Sequence, residues 1–133
     1  MVDSSGHPKY RAVEMHTLHP SDSLLKLTVA ATFAEVWLAK EGHDGPVGMN
    51  LLTKIELPTL PSLYGALLAG VDYIIMGAGI PRAIPQCLDL LAQHQTCSIP
   101  ITVEGATPGT FRSTFNPQEV RPAESLRHPP ARE

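Results

Sequence analysis

Apolar residues fall into a helical rhythm early in the chain, where Leu25, Val29, Thr32, Phe33 and Val36 recur at i, i+4, i+7, i+8 and i+11. Ser21 or Asp22 can cap this stretch and Gly42 can stop it, so the spacing predicts an amphipathic helix. The rhythm then changes. Residues 46–51 are short and apolar behind a His43-Asp44-Gly45 turn, the pattern of a strand buried on both faces and ending near Asn50. Pro61 suits the first turn of a second helix over residues 62–69, with Leu63 and Leu67 as its buried stripe and Gly70 just past its end. Residues 71–76 read as another buried strand, rich in β-branched and aromatic side chains, and run into Gly77-Ala78-Gly79. Pro81 opens a third helix whose Ile84, Leu88 and Leu91 share a face, and residues 99–103 make a third strand.

The order helix, strand, helix, strand, helix, strand predicts an α/β fold with parallel strands joined by crossover helices, either an open doubly wound sheet or part of a barrel. A (β/α)8 barrel needs eight strands and ~250 residues, so with three strands a barrel reading means a piece of one. Residues 1–20 carry Gly6, Pro8 and Pro20 with weak periodicity and read as an irregular lead-in, leaving 21–105 as the α/β segment. From Ala106 onward core periodicity fades, and 106–133 reads as an extended or disordered tail, Pro- and Arg-rich at its end.

Length and charge narrow the classes further. The chain has 133 residues, one domain's worth, with 10 Lys and Arg against 13 Asp and Glu and a formal charge of −3. Without a basic patch, nucleic acid is excluded as a partner. The longest apolar stretches, 66–69 and 71–78, are interrupted by Gly70 and Asp72 and fall short of the ~20 residues of a membrane span. Residues 1–11 lack the order of a secretory signal, which gives a cytoplasmic expectation. Cys87 and Cys97 lack CxxC spacing and are expected as reduced thiols.

Ligands of parallel α/β sheets bind at the carboxyl ends of the strands. Asn50 and Gly77-Ala78-Gly79 fall there: small residues let a ring or phosphate approach the backbone, and Asn50 offers a donor and an acceptor in one amide. Each also has a plain structural use, the glycines as a tight turn and Asn50 as a turn or cap residue. His43 and Asp44 precede the first strand and so belong to the opposite face, as a turn. His16 and His19 have metal-ligand spacing but no third ligand nearby, and Ser62 serves best as a helix cap. Nucleophile-elbow, Walker, GxGxxG and HExxH motifs are all missing.

Three segments carry a resemblance: 40–52 with Gly48-Met49-Asn50, 55–65 with Leu57-Pro58-Thr59-Leu60-Pro61, and 70–82 with Gly77-Ala78-Gly79-Ile80-Pro81. They resemble the nitronate monooxygenase family, also called 2-nitropropane dioxygenase-like, over about residues 15–120. The resemblance implies an FMN-bound TIM barrel, with Asn50 matching the family's flavin-contacting Asn and Gly77, Ala78 and Gly79 at the rim of the same pocket. It further implies an oxidoreductase that converts alkyl nitronates and oxygen into carbonyl compound and nitrite, the flavin carrying the redox step. The family's Gly-rich first strand and its later phosphate-binding and catalytic strands have no counterpart here, so the chain looks like a fragment, inactive alone, with catalytic residues unassigned. Exposed strand edges would then favour self-association. Two other readings stand beside it: a non-catalytic α/β remnant or interaction module, and a flavin-dependent enoyl reductase of fatty-acid or polyketide synthesis, which shares the Gly-Ala-Gly-Ile-Pro turn. The small-molecule substrate is accordingly a nitronate or an enoyl compound.

Overall fold

In the computed structural model, which describes residues 12, 14–52, 54–77 and 82–120, the first helix begins where the cap pattern places it. Ser21 Oγ accepts the Leu24 N–H at 3.2 Å, and α1 runs Asp22–Ala39 with Asp22 in its first turn, where a carboxylate meets the positive end of the helix dipole. Leu24, Leu25, Val29 and Val36 are its buried residues. His43 fastens the exit from α1: its Nε2–H donates to the Ala39 carbonyl at 2.6 Å, and its Nδ1 accepts the Gly45 N–H at 2.9 Å. This is the turn role expected of His43-Asp44-Gly45.

The remaining elements are β1 (Gly48–Leu52), α2 (Thr59–Leu68), β2 (Tyr73–Gly77), α3 (Ile84–Ala92), β3 (Cys97–Ile101), β4 (Phe111–Phe115) and a 3₁₀ turn, Pro117–Glu119. Helix α2 starts three residues before the expected Ser62. Ser62 is therefore inside the helix rather than its cap, and Pro61 sits in the first turn, where a missing N–H costs little. Gly70 adopts φ +75 beyond the Ala69 C-cap, as its position predicts. Pro81 lies outside the described residues; α3 has Pro85 in its first turn.

Strands β1 and β2 pair in parallel, Gly48 opposite Tyr73 and Leu52 opposite Gly77. Their alternation differs from the expected burial on both faces. Met49, Leu51, Ile74 and Met76 pack toward the core, while Tyr73, Ile75 and Leu52 stay 62%, 55% and 60% exposed. Among the described residues the helical layer covers one face only. The third strand also departs from expectation: β3 pairs antiparallel with β4, Cys97 opposite Phe115, and does not join β1 and β2. Gly105 and Gly109, with φ +79 and +83, let the chain reverse between the two strands. The faded periodicity after Gly105 conceals this strand because β4 offers the core only Ser113 and Phe115. The result is a mixed α/β fold with three helices and two small two-stranded sheets, one of them parallel. Among the described residues no helix is long and apolar enough to cross a membrane.

Two contacts set the geometry. The first is between helices: a Cβ on Gly65 would overlap the Val29 carbonyl oxygen and lie 3.1 Å from Thr32 Cβ and 3.2 Å from Phe33 N. The second joins α1 to the strands. Asp72 accepts from Lys40 Nζ at 2.7 Å and from the Val47 N–H at 2.8 Å, while Val47 O accepts the Asp72 N–H at 2.9 Å.

Gly65→Ala weighs a better helix propensity of ~1 kcal/mol against backbone overpacking that costs ~1–3 kcal/mol. Because the atom met first is backbone, which cannot rotate away, the clash wins and the variant unfolds at lower urea. An unchanged or higher midpoint would show that α1 and α2 separate at no cost. Asp72 supplies a pH test. The Lys40 hydrogen bond, and then the Val47 N–H, hold its carboxyl below the usual carboxylate range. Its stabilising contribution is therefore present above the ordinary Asp value of ~3.9 and lost as pH falls toward the lower folded value. Asp72→Asn should lower the urea midpoint at pH 7 and lose that deficit in acid; a deficit independent of pH would remove the carboxylate's charge from the account.

Candidate functional site

The open face of the parallel sheet follows from strand alternation. Gly48, Asn50 and Leu52 point one way from β1, and Tyr73, Ile75 and Gly77 point the same way from β2, because partners in register share a face. Asn50 stands opposite Ile75, two residues before the Leu52–Gly77 pair. The structure thus brings Asn50 and Gly77 together on one uncovered surface. Asn50 lies in the middle of β1 rather than at its end, and its amide has no hydrogen-bond partner among the described residues. Around it, Leu52, Tyr73 and Ile75 form an apolar platform. A Cβ on Gly77 would meet nothing within 4 Å, so packing among the described residues does not demand glycine there. Ala78 and Gly79 lie outside the described residues.

A second feature sits beyond the carboxyl ends of β1 and β3, where the loops after the two strands meet. A cavity of about 550 Å³ opens there, with Ile55, Glu56, Pro58, Ile101 and Val103 in its wall and His16 contributed by the segment before α1. Glu56 Oε2 accepts the Thr102 N–H at 2.7 Å and ties the two loops together. Thr28 donates its hydroxyl proton to Leu24 O at 2.8 Å, so the His16 Nε2–H must donate to Thr28 Oγ1 at 3.1 Å. That fixes the tautomer and leaves Nδ1 buried without a partner among the described residues. Burial pushes the His16 pKa down, and the nearby Glu14 charge only partly opposes it.

His16 and His19 face different surroundings. His16 turns to Thr28, His19 is exposed, and no cluster of three ligating side chains occurs among the described residues. Sequence reasoning missed the cavity and the Glu56–Thr102 bond, since 46 positions separate its partners and no local signal links them. No protein-family model, curated protein or solved structure compared with this chain matches it.

The orphaned nitrogen predicts a pH slope. With the folded pKa below the ordinary His value of ~6.5, the neutral ring's contribution is complete above that value and falls as pH drops through it. Urea midpoints measured from pH 7.5 to 5 should decline in the native chain and flatten in His16→Gln. An equal slope in both would assign the decline to another group.

Proposed function

We propose that the chain is an FMN-dependent oxidoreductase of the nitronate monooxygenase type, its β1 and β2 forming one arc of a (β/α)8 barrel wall. The observation that carries this reading is the shared open face of Asn50 and Gly77 on two parallel strands whose other face is covered by helices. That is the layout of a βαβ unit in a barrel, where helices lie outside, the inward strand faces pack the interior and ligands bind at the carboxyl ends of the strands. The donor set suits the flavin ring: an Asn50 amide without a hydrogen-bond partner among the described residues, an apolar platform of Leu52 and Ile75, and room for a Cβ at Gly77. Arg82 and the first turn of α3 come next along the chain beyond Gly77, with the chemistry a phosphate needs.

In this reading Asn50 orients the ring edge through its amide, and Leu52, Tyr73 and Ile75 exclude water from one side of it. Gly77 allows a close approach to the backbone. When bound, FMN supplies the redox chemistry that turns an alkyl nitronate and oxygen into carbonyl compound and nitrite. Further strands are needed to close the wall, and self-association through the open face is one way to supply them.

The antiparallel β3–β4 pair favours a second reading, a non-catalytic α/β remnant, because it diverts the third strand from the parallel sheet. One titration separates the two. The chain is mixed with FMN, passed through gel filtration and scanned for flavin absorbance. The oxidoreductase reading expects flavin to travel with the protein, and nitrite release on adding an alkyl nitronate. Asn50→Ala should then weaken FMN binding by about 5- to 150-fold, the ~1–3 kcal/mol of a lost buried partner. Colourless protein supports the remnant; retained flavin that reduces an enoyl thioester and not a nitronate shifts the substrate to the enoyl class.

A further inference from the structure

Cys87 and Cys97 are the chain's two cysteines, and the turn after α3 folds one against the other. Cys87 is buried on α3 and Cys97 is buried at the first position of β3, both as free thiols. Both side chains belong to one buried cluster, and Cys87 Sγ reaches the carbonyl of Ser98, the residue next to Cys97, at 3.7 Å. Beside them lies a cavity of about 260 Å³ whose wall includes both cysteines with Gln86, Thr96, Arg112 and Thr114. A mainly polar cavity of that size admits a small polar oxidant to an otherwise enclosed pair.

We propose that Cys87 and Cys97 form a reversible intramolecular disulfide when the chain meets a small hydroperoxide. The Cys87 sulfur attacks one peroxide oxygen, the O–O bond breaks, and the departing oxygen takes the thiol proton and leaves as water or alcohol. Cys87 is then a sulfenic acid. The Cys97 sulfur displaces its hydroxyl: an S–S bond forms, the S–O bond breaks, and the hydroxyl leaves as water with the Cys97 proton. The two thiols lose two electrons and the peroxide gains them. Burial, and then the neighbouring Cys87, push the Cys97 thiol up to about 12, so it stays protonated until it meets the sulfenic acid as the resolving partner. Closing the pair to a bond of ~2.05 Å ties α3 to β3. The inference stands on these two elements and is independent of the flavin reading.

The test is intact-mass analysis of the whole chain under graded hydrogen peroxide, and in glutathione redox buffers with and without denaturant. Expected in native buffer are a mass two hydrogens lighter, recovery with dithiothreitol, and a digest joining the peptides that carry Cys87 and Cys97. The disulfide should be favoured in the folded chain by roughly tenfold or more over the denatured one. Cys97→Ser should stop at a single added oxygen. Native thiols that stay unmodified, that gain oxygens without losing two hydrogens, or that pair no better folded than denatured would overturn the proposal. The folded-against-denatured comparison uses the native chain and holds even if the serine variant does not fold.

Discussion

The backbone contact between α1 and α2 at Gly65 governs the arrangement of everything else. Without a side chain there, Thr32 and Phe33 come directly against the α2 backbone, and the Val29 carbonyl occupies the space a Cβ would take. One turn further along α1, Val36 closes on Ala66 and Ala69, two more small residues on the same side of α2. The two helices therefore pack as a unit, and any larger residue at Gly65 would push them apart.

That crossing leaves the other side of α2 free to build the main core. Leu60, Leu63 and Tyr64 are buried there against Ile84, Leu91, Ile99 and Phe115. A helix apolar on nearly every side has to be buried, and α2 is, with seven of its ten residues enclosed. Tyr64 brings one polar atom into this core, and its hydroxyl is hydrogen-bonded to His94 Nδ1 at 2.9 Å. His94 ends α3 at φ 57, a left-handed position usually given to glycine. Here the histidine combines the helix stop with a polar partner for Tyr64, while the Tyr64 ring packs on Phe115 at 5.6 Å. One side chain thus links α2, the end of α3 and β4.

The candidate site inherits its form from this layering. Because helices cover one face of β1 and β2, the alternation that sends Met49 and Ile74 inward must send Asn50 and Ile75 outward. The same packing of α3 on β3 puts Cys87 and Cys97 in the wall of one cavity, although nothing in their spacing indicates a pair.

The helices were legible in the sequence because their signals are local. The Ser21 cap, the Leu25, Val29 and Val36 stripe, and Gly70 at positive φ each act within a few residues, and each is found where the spacing puts it. Strands β1, β2 and β3 were legible for the same reason, whereas β4, with only Ser113 and Phe115 turned to the core, was not. Strand partnership was not: the antiparallel union of β3 with β4, the open face beneath Asn50, the cavity tied by Glu56 and Thr102, and the thiol pair all join residues from different elements. Apolar periodicity says that a segment has a buried face, but not against which neighbour. The sequence by itself determined three amphipathic or buried helices and the strands between them. The tertiary structure alone decided which strands pair and which face stays open, because those outcomes depend on how closely α1 and α2 approach, a distance fixed by contacts between residues far apart in the chain.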